Sequence, residues 1–435
     1  MKIQSVKGTT DILPAMQSLW QGIIDAVATV LGRAGAGKLD TPIIEYAELF
    51  ERGVGESADI VVQKELYTFE DRGGRILALR PEFTAGVMRA YIENGMFTLP
   101  TPVKLWSHGP LFRAENVQRG RYRQFHQVNF ELIGLDTALA DAEAVQLMWA
   151  TLSACGLTGH GIKLGSVGDP EDRTAYNDYL RTALASQVGD LTETSQERLR
   201  LNPMRLLDAK DRGDVAIVAA LDRPLDRLAA PAKEHFEQVR AYLDDWGVPY
   251  QVDPGIVRGL DYYRRTAFEA HYTGIGAQSA LGGGGRYNGL LAQLGGHDQP
   301  GVGWALGIER IIDALAQEAQ ARPQQDPDAA QRSATPSLFL VPLDDQAVSE
   351  AAVTAQRLRT HGKVEHAYQR RNAGKGLKDA DRSGASHAAL RGASERESAT
   401  WQLKDLTTGV QLEVTEQQLV QVLEGGSAPL LSSAP

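Results

Sequence analysis

The sequence predicts an α+β domain, a helical insertion that interrupts it, and a small C-terminal α/β domain. Three observations lead to this prediction. The stretch 317–336 has no aromatic or large aliphatic residue and separates two regions rich enough in apolar residues to form cores. After it, strand-like and helix-like patterns alternate, as in α/β domains. Before it, a charge-dense segment of helix-forming residues, about 167–250, lies between regions of long helical patterns and apolar strands.

The composition is that of an ordinary globular protein. The 435 residues are 43% hydrophobic and 23% charged, which excludes a chain that is disordered throughout. The net charge of −10 excludes a generally basic coat for nucleic acid but not a local basic groove. No apolar run is long enough to span a membrane, and the N-terminus does not resemble a secretory signal. Because Cys155 is the only cysteine, an internal disulfide and a multi-cysteine metal site are excluded. We therefore expect a cytoplasmic, multi-domain protein.

The stretch 317–336 is predicted to be a linker, because it cannot bury enough apolar surface to offset the entropy lost on ordering. It follows a domain at 1–316 and precedes one at 337–424, and 425–435 is predicted to be a loose tail. In the C-terminal domain we expect a strand at 337–343, a helix at 346–361, a strand at KVEHAY, a helix near 375–384, a strand at AALRG, a strand at 399–404 and a helix near 415–424.

In the first domain, helical patterns occupy 15–35 and 140–155, and a basic hairpin is predicted at 105–134. Within this hairpin, four arginines stand against one glutamate between positions 113 and 126. Arginine offers a planar fork of donors that matches phosphate oxygens, and Phe125 offers a ring on which a base can stack. From these residues alone, a nucleotide site and a solvated basic hairpin are equally good interpretations.

The second strand of the hairpin has two different faces. Gln127, Asn129 and Glu131 alternate with apolar residues, so one face is polar and the other apolar. The floor of a polar pocket requires this pattern, and a solvent-facing strand would show it too.

Three later segments contain residues typical of ligand sites. Segment 255–269 has three arginines around Tyr262 and Tyr263, whose hydroxyls need partners if they are buried. Four consecutive glycines at 281–290 permit a close approach of the backbone, and a later helix carries Arg310. The defined glycine spacings of P-loop and Rossmann sites are absent from the sequence.

These residues together resemble the motifs of class II aminoacyl-tRNA synthetases. Arg113 with Glu115, a loop, and Arg121 followed by Phe125 resemble motif 2, and GIERI with Arg310 resembles motif 3. The class has an antiparallel sheet flanked by helices, so the resemblance implies this architecture for the first domain.

Within that class, the chain resembles the histidyl-tRNA synthetase family over nearly all of 1–424. It departs from the family's usual residues at Phe83, Arg264 and Asn288. The helix at 15–35 with the following TPIIEYAELF resembles motif 1, which implies a homodimer. The signatures that carry the resemblance are KGTTDILP, LRPEFTA, GRYRQFHQ, NPMRLLDAK, RGLDYYRRTAFE, GGGGRYNGL, KGLKDADRSGA and QLKDLTTG.

The resemblance implies that ATP activates histidine to histidyl-adenylate, with release of pyrophosphate, and that histidine then passes to the 3′ end of its tRNA. Magnesium is implied with ATP, and no dedicated protein metal site is expected. Both steps build negative charge on oxygens, so preorganised cations, Arg113 and Arg258, are the implied catalytic residues.

The same resemblance implies three sets of binding residues. For histidine they are Glu82, Phe83, Thr84, Arg113, Gln127, Glu131, Arg258, Tyr262 and Tyr263. For ATP they are Arg113, Glu115, Arg121, Phe125 and Arg310. For tRNA they are Asn116, Gln118 and Arg119 in the hairpin loop and Arg370, Arg371, Lys375 and Lys378 in the C-terminal domain. The 167–250 insertion is expected to hold the acceptor arm.

Two other functions fit parts of the sequence. One is a synthetase-like regulatory subunit of ATP phosphoribosyltransferase that binds histidine. That class generally lacks the C-terminal domain, which this chain has. The other is a tRNA-binding module without catalysis, which would not need Arg113, Arg258 and Arg310 together.

Overall fold

The computed structural model describes residues 3–54, 65–118, 120–209, 211–256, 263–272, 279–321 and 337–425. The chain divides into two compact units, Met1–Arg322 and Pro323–Pro435. Among the described residues, no helix is long and apolar enough to cross a membrane.

The first unit combines helices and strands along its whole length. Its helices are α1 (Pro14–Arg33), α2 (Ala47–Val54), α3 (Thr84–Glu93), α4 (Ala138–Ala154), α5 (Pro170–Ala183), α6 (Glu193–Leu201), α7 (Arg212–Ala219), α8 (Ala230–Asp245), α9 (Leu290–Gln293) and α10 (Ile308–Ala321). Its strands are β1 (Gly37–Lys38), β2 (Ile44–Tyr46), β3 (Thr68–Glu70), β4 (Ile76–Leu79), β5 (Val103–Phe112), β6 (Gln124–Ile133), β7 (His160–Ser166), β8 (Gln251–Val252), β9 (Arg264–Tyr272), β10 (Ala280–Arg286) and β11 (Gly301–Gly307).

An eight-stranded sheet organises this unit, in the order β1-β5-β6-β11-β10-β9-β7-β8. The six central strands are antiparallel, and only the two-residue edge strands β1 and β8 run parallel to their neighbours. The predicted hairpin is β5 and β6, which pair from Val103 with Ile133 to Phe112 with Gln124. A separate three-stranded sheet has the order β2-β4-β3. The predicted fold class, an antiparallel sheet flanked by helices, is confirmed.

One face of the large sheet packs on helices. Val128, Phe130 and Leu132 of β6 are fully buried in a core that also contains Ile23 and Val27 of α1. This is the apolar face that the alternation of residues in β6 predicts. The polar face of the same strand is therefore directed to the opposite side of the sheet.

The helices between β7 and β9 belong to two cores. Tyr176, Leu180, Leu199 and Val218, from α5, α6 and α7, form a second, smaller core that also includes Ala267 of β9. By contrast, α8 packs into the main core. The segment predicted as one insertion, 167–250, thus contains both a satellite cluster and a helix of the main body.

The second unit contains five strands and four helices. Its strands are β12 (Ser337–Pro342), β13 (Lys363–His366), β14 (His387–Arg391), β15 (Trp401–Asp405) and β16 (Gln411–Val414), and its helices are α11 (Asp345–Leu358), α12 (Ala373–Arg382), α13 (Ala393–Glu397) and α14 (Glu416–Leu423). The strands form one sheet in the order β13-β12-β14-β15-β16, in which β12 is parallel to both neighbours and β14, β15 and β16 are antiparallel. Alternate residues of β12 enter different cores, one with α11 and α14 and one with α12.

The linker predicted at 317–336 overlaps the end of a helix. Residues 317–321 belong to α10, whose buried Glu318 accepts hydrogen bonds from the backbone N–H groups of Thr158 and Gly159. The rest of the predicted linker and residues 426–435 of the predicted tail lie outside the described residues.

A buried ion pair joins α4 to β10. Asp141 and Arg286 are fully buried, and the Arg286 Nη2 donates to Asp141 Oδ1 over 2.5 Å. His235 of α8 and the Thr266 hydroxyl of β9 contact the second oxygen of Asp141, at 2.7 and 2.5 Å. Burial by itself raises the pKa of Asp141, but the charge of Arg286 and the bond to His235 outweigh it, so the pKa lies below its ordinary value. The pair and its two further partners tie four elements of the main body together.

We expect Asp141→Ala to lower the free energy of unfolding by about 3–5 kcal/mol, because it leaves the Arg286 charge buried without its partner. Chemical denaturation measures this directly. Asp178→Ala is the matched control, because it removes an exposed carboxylate that pairs with Arg181 at 3.1 Å and is expected to cost at most about 1 kcal/mol. Equal losses in the two variants would contradict the structural role given to Asp141.

Candidate functional site

A cavity of about 280 Å³ opens on the polar face of the large sheet. Its walls come from the start of α3, from β6, β10 and β11, and from the loop of the β5–β6 hairpin. The structure thus brings together residues that are up to 228 positions apart, from Glu82 to Arg310. The residues predicted from the sequence that line it are Glu82, Phe83, Thr84, Arg113, Glu115, Arg121, Phe125, Gln127, Tyr263 and Arg310.

Glu131 is 1% exposed and lies beneath three lining residues, Thr84, Asn129 and Tyr287; it is not itself among the residues that line the cavity. Its Oε1 accepts hydrogen bonds from the Thr84 hydroxyl, at 2.7 Å, and from the Asn129 amide, at 2.9 Å. The Tyr287 hydroxyl donates to Oε2. Burial raises the pKa of Glu131 to about 7 although these three bonds act in the opposite direction. The carboxylate is therefore close to the balance between its charged and neutral forms at neutral pH.

A glycine makes room for this carboxylate. Gly303 of β11 faces Glu131 across the sheet, and a Cβ built on it would lie 1.9 Å from Glu131 Oε2. Any side chain at this position would displace the carboxylate or its strand, so the glycine of β11 is part of the site.

Tyr287 is a site residue that the sequence analysis missed. It follows the four-glycine segment, but nothing in the local sequence indicates which residue its hydroxyl contacts. Its partner, Glu131, is 156 residues away in the sequence. The pKa of Tyr287 is raised well above its ordinary value by burial and by the neighbouring carboxylate, so the hydroxyl stays protonated and donates.

The four consecutive glycines lie in a strand, β10, and not in a phosphate-binding loop. A Cβ on Gly282 or Gly284 would lie 2.0 Å from a carbonyl oxygen of β11, and one on Gly285 would lie 2.7 Å from the ring of Tyr263. The glycines therefore serve the close packing of strands and of Tyr263 beside the cavity. Arg173 of α5 donates to the carbonyl oxygen of Tyr263 over 3.3 Å.

Glu82 and Phe83 both have structural partners. The Glu82 carboxylate accepts hydrogen bonds from the backbone N–H groups of Thr84 and Ala85, at the first turn of α3, and burial raises its pKa. Phe83 is 2% exposed, and the Arg80 guanidinium lies over its ring at 4.5 Å. The large side chain that departs from the family's usual small residue is thus accommodated mainly in the core, with a small surface on the cavity.

The hairpin side of the cavity carries three arginines. The Arg113 guanidinium lies 5.2 Å from the centre of the Phe125 ring, and its Nε donates to the Pro81 carbonyl over 3.1 Å. Arg121 lies 3.6 Å from Glu115. Arg310 donates to the carbonyl of Gly120, and its pKa is lowered by burial and by the charge of Arg121. Three cations around one cavity make this wall suited to a polyanion.

Several predicted site residues are not brought to the cavity. Asn116 and Gln118 are exposed in the hairpin loop, and Gln118 pairs with Arg121 there. Three further residues, Arg119, Arg258 and Tyr262, lie outside the described residues.

The basic residues predicted in the second unit lie around the start of α12. Arg371 donates to Asp379 over 2.8 Å, and Arg370 lies 3.7 Å from Asp345. Lys375 is exposed, as is Lys378 one turn later. The exposed part of the basic segment is therefore Arg370 with the two lysines.

Comparisons with known proteins agree on one family. A family model for histidyl-tRNA synthetase matches residues 8–311, and a model for an anticodon binding domain matches 337–425. The chain is 49% identical to the histidine–tRNA ligase of Deinococcus radiodurans over 97% of this chain and 100% of that protein. It is 47% identical to that of Thermus thermophilus over 96% and 98% of the two chains.

Two solved structures show the same fold. The apo histidyl-tRNA synthetase of S. aureus matches with a TM-score of 0.79 at 35% identity, over 97% of this chain and 100% of the other. An ATP phosphoribosyltransferase regulatory subunit/histidyl-tRNA synthetase from Bacillus halodurans matches with a TM-score of 0.63 at 21% identity, over 90% and 100%. The second likeness concerns the fold alone.

We expect Glu131 to make stability depend on pH. Its pKa rises from an ordinary value of 4.5 to about 7 in the folded chain, so between pH 4.5 and pH 7 the folded state holds a proton that the unfolded state has lost. Stability from this group therefore falls as pH rises from 4.5 to 7, by about 3 kcal/mol, and stays level above. Denaturation of the wild-type chain and of Glu131→Gln across this range measures the difference in free energy. A difference that stays constant with pH would contradict the shifted pKa.

Proposed function

The chain belongs to the histidyl-tRNA synthetase family and is an ATP-dependent ligase of histidine and tRNA, and we propose that the cavity above β6, β10 and β11 is its active site. In this reaction histidine and ATP give histidyl-adenylate and pyrophosphate, and histidine then passes to the 3′ end of the tRNA. One observation carries the proposal. A single cavity is lined both by the partners of buried Glu131 and by three arginines.

The arginine wall is proposed to bind ATP. Arg113 would contact the α-phosphate, where negative charge develops as the histidine carboxylate attacks, and Arg310 the outer phosphates. Both guanidinium groups are already held by backbone carbonyls, so little reorganisation accompanies the reaction. Glu115 and Phe125 would hold the adenine, with Arg121 beside them.

The Glu131 end is proposed to recognise the histidine side chain. The carboxylate would accept a hydrogen bond from one imidazole nitrogen and thereby select the tautomer. Tyr263 lines the same cavity and would face the ring. A site built to pair both ring nitrogens rejects amino acids that lack them by about 10⁴–10⁵.

The remaining histidine contacts follow from the same placement. Thr84 donates its hydroxyl hydrogen to Glu131, so its oxygen is left to accept from the α-amino group. Glu82 and Gln127 line the cavity and are proposed to bind that amino group as well. Arg258 is proposed at the α-phosphate and the histidine carboxylate, with Tyr262 beside the imidazole. These two assignments rest on the sequence motif.

Magnesium is proposed to enter together with ATP. Within the part of the chain that the structure describes, no group of three or more histidine, cysteine or acidic residues has the arrangement of a metal site. The carboxylate of Glu269 lines the cavity as well and is not assigned to histidine or adenine. Because Mg²⁺ is commonly held by one or two carboxylates, waters and substrate phosphates, this arrangement fits an ion that ATP brings with it.

The second unit is proposed to bind the anticodon region of the tRNA, with the basic segment 370–382 contacting the phosphate backbone. Asn116, Gln118 and Arg119 of the hairpin loop would reach the acceptor end, and the helices α5 to α7 its arm. Such phosphate contacts make affinity fall steeply as salt rises. A cytoplasmic location is part of this proposal, because the aminoacylated tRNA is used by ribosomes there.

Pyrophosphate exchange and tRNA charging test the function together. The full-length chain is expected to exchange pyrophosphate into ATP only with histidine and to charge its tRNA. A chain cut near Asp326 should keep the exchange reaction, because every residue assigned to ATP and histidine precedes the cut. It should lose most charging at physiological salt and regain part of it at low salt. A full-length chain that binds histidine without charging tRNA would favour the regulatory interpretation.

A homodimer is proposed from an exposed apolar surface on the small sheet and from the exposed Leu19 of α1. Leu19 is 41% exposed, and Ile44, Tyr46 and Phe69, which the pairing with β4 places on one face of the small sheet, are 48%, 52% and 42% exposed. Apolar patches of this kind commonly mark a protein interface.

We expect sedimentation at micromolar concentration to show a dimer, and Ile44→Asp to shift it towards monomer, because a carboxylate on this surface would be buried without a partner. Val215→Asp is the control: it changes an exposed apolar residue of α7, which lies outside this surface. A wild-type monomer that is fully active would contradict the proposal.

A further inference from the structure

The loop between β13 and α12, residues 367–372, presents an aromatic ring to solvent. Tyr368 is 84% exposed, and its ring centre lies 4.6 Å from that of His366 at an angle of 48°. The neighbouring Ala367 is buried, and the Arg371 N–H donates to the Pro342 carbonyl over 2.8 Å. The loop is therefore fixed to the sheet on both sides of a ring that contributes little to the core.

The position of this ring in the sheet is the second observation. The parallel strands β12, β13 and β14 end at one edge, and the Tyr368 loop begins there. Strand β13 lies on one side of β12 and strand β14 on the other, so the chain crosses β12 on its way from β13 to β14. In open α/β sheets, ligands bind outside the carboxyl ends of the strands where the direction of winding changes in this way.

The charges around Tyr368 indicate what kind of ligand fits. Arg370 has an exposed side chain, and α12 begins at Ala373 with the exposed Lys375 in its first turn. The free N–H groups of a helix N-terminus favour an anion, as do these two cations. An exposed aromatic ring next to cationic side chains suits a nucleotide, because the base can stack on the ring while the phosphate contacts the cations.

We propose that Tyr368 is the platform on which one unpaired base of the bound tRNA stacks, while Arg370 contacts the adjoining phosphate. An unpaired base is required because a base inside a duplex has no free face to offer. This inference rests on the proposed binding of tRNA by the second unit and adds a base contact to the phosphate contacts given there.

Substitutions in the full-length chain separate the ring from the charge. Tyr368→Ala is expected to weaken tRNA binding by about 5-fold to 150-fold, the effect of losing one stacked base. Its salt dependence should stay that of the wild type, since no charge is removed. Tyr368→Phe keeps the ring face and should bind like the wild type. Arg370→Gln should instead reduce the slope of log affinity against log salt by about one phosphate contact.

Two controls accompany these variants. Val410→Ala changes an exposed apolar residue between β15 and β16. Because Asp405, the last residue of β15, pairs with His387, the first residue of β14, Val410 lies near the amino ends of the parallel strands, opposite the end at which the Tyr368 loop begins. It should bind tRNA like the wild type. Histidine-dependent pyrophosphate exchange, measured without tRNA, should be unchanged in every variant, because it needs only residues of the first unit.

A double-mutant cycle identifies the base. Anticodon-loop positions of the tRNA are made abasic one at a time and titrated with the wild-type chain and with Tyr368→Ala. At one position, removal of the base is expected to weaken binding to the wild-type chain but hardly to Tyr368→Ala, because that variant has already lost the contact with this base. Independent losses at every position would overturn the inference.

Three further results would also overturn it. If Tyr368→Ala binds as well as a wild-type chain that charges tRNA normally, the inference is wrong and the proposed function stands. If Tyr368→Phe loses as much as Tyr368→Ala, the hydroxyl and not the ring face is used. A wild-type chain that neither binds nor charges tRNA would overturn the proposed function and the inference with it.

Discussion

The site depends on one buried carboxylate. Glu131 lies in the middle of an antiparallel sheet, where an ionised group without partners would be strongly disfavoured. The surrounding chain supplies hydrogen-bond donors from Thr84 on α3, Asn129 on its own strand and Tyr287 after β10. It also supplies the space, because Gly303 of the adjacent strand has no side chain to occupy it. Four segments are thereby committed to the position of a single functional group.

A second buried network holds the frame around this pocket. Asp141 and Arg286 join α4 to the end of β10, one residue before Tyr287, and His235 brings α8 to the same carboxylate. Strand β10, which places the Tyr287 hydroxyl on Glu131, is thus anchored by an ion pair at Arg286, the residue immediately before Tyr287. Removal of one partner is expected to disturb both the main body and the floor of the cavity, since buried charges tolerate the loss of a partner poorly.

The two ends of the reaction use different physical means. In the first unit, buried and partly buried groups are held by backbone carbonyls and by one another, which suits the stabilisation of charge in a small substrate. In the second unit, Tyr368, Arg370, Lys375 and Lys378, which are proposed to meet tRNA, are exposed on a loop and the first turns of a helix. Exposed cations and an exposed ring suit a large, hydrated and flexible ligand, for which contacts spread over a surface supply affinity.

Much of this was predictable from the sequence, because local patterns have local causes. Alternation along β6 predicted which of its faces is polar, and glycine and apolar periodicity predicted the hairpin and seven of the nine elements of the second unit, all but β16 and α13. Tertiary structure alone decided that Glu131 is buried, that its pKa is raised to about 7 and that Tyr287 is its partner. It also decided that the four glycines form a strand and that Phe83 packs beneath Arg80. The physical reason is that desolvation and hydrogen bonding depend on which distant segments meet, and the pattern within any one segment carries no record of that.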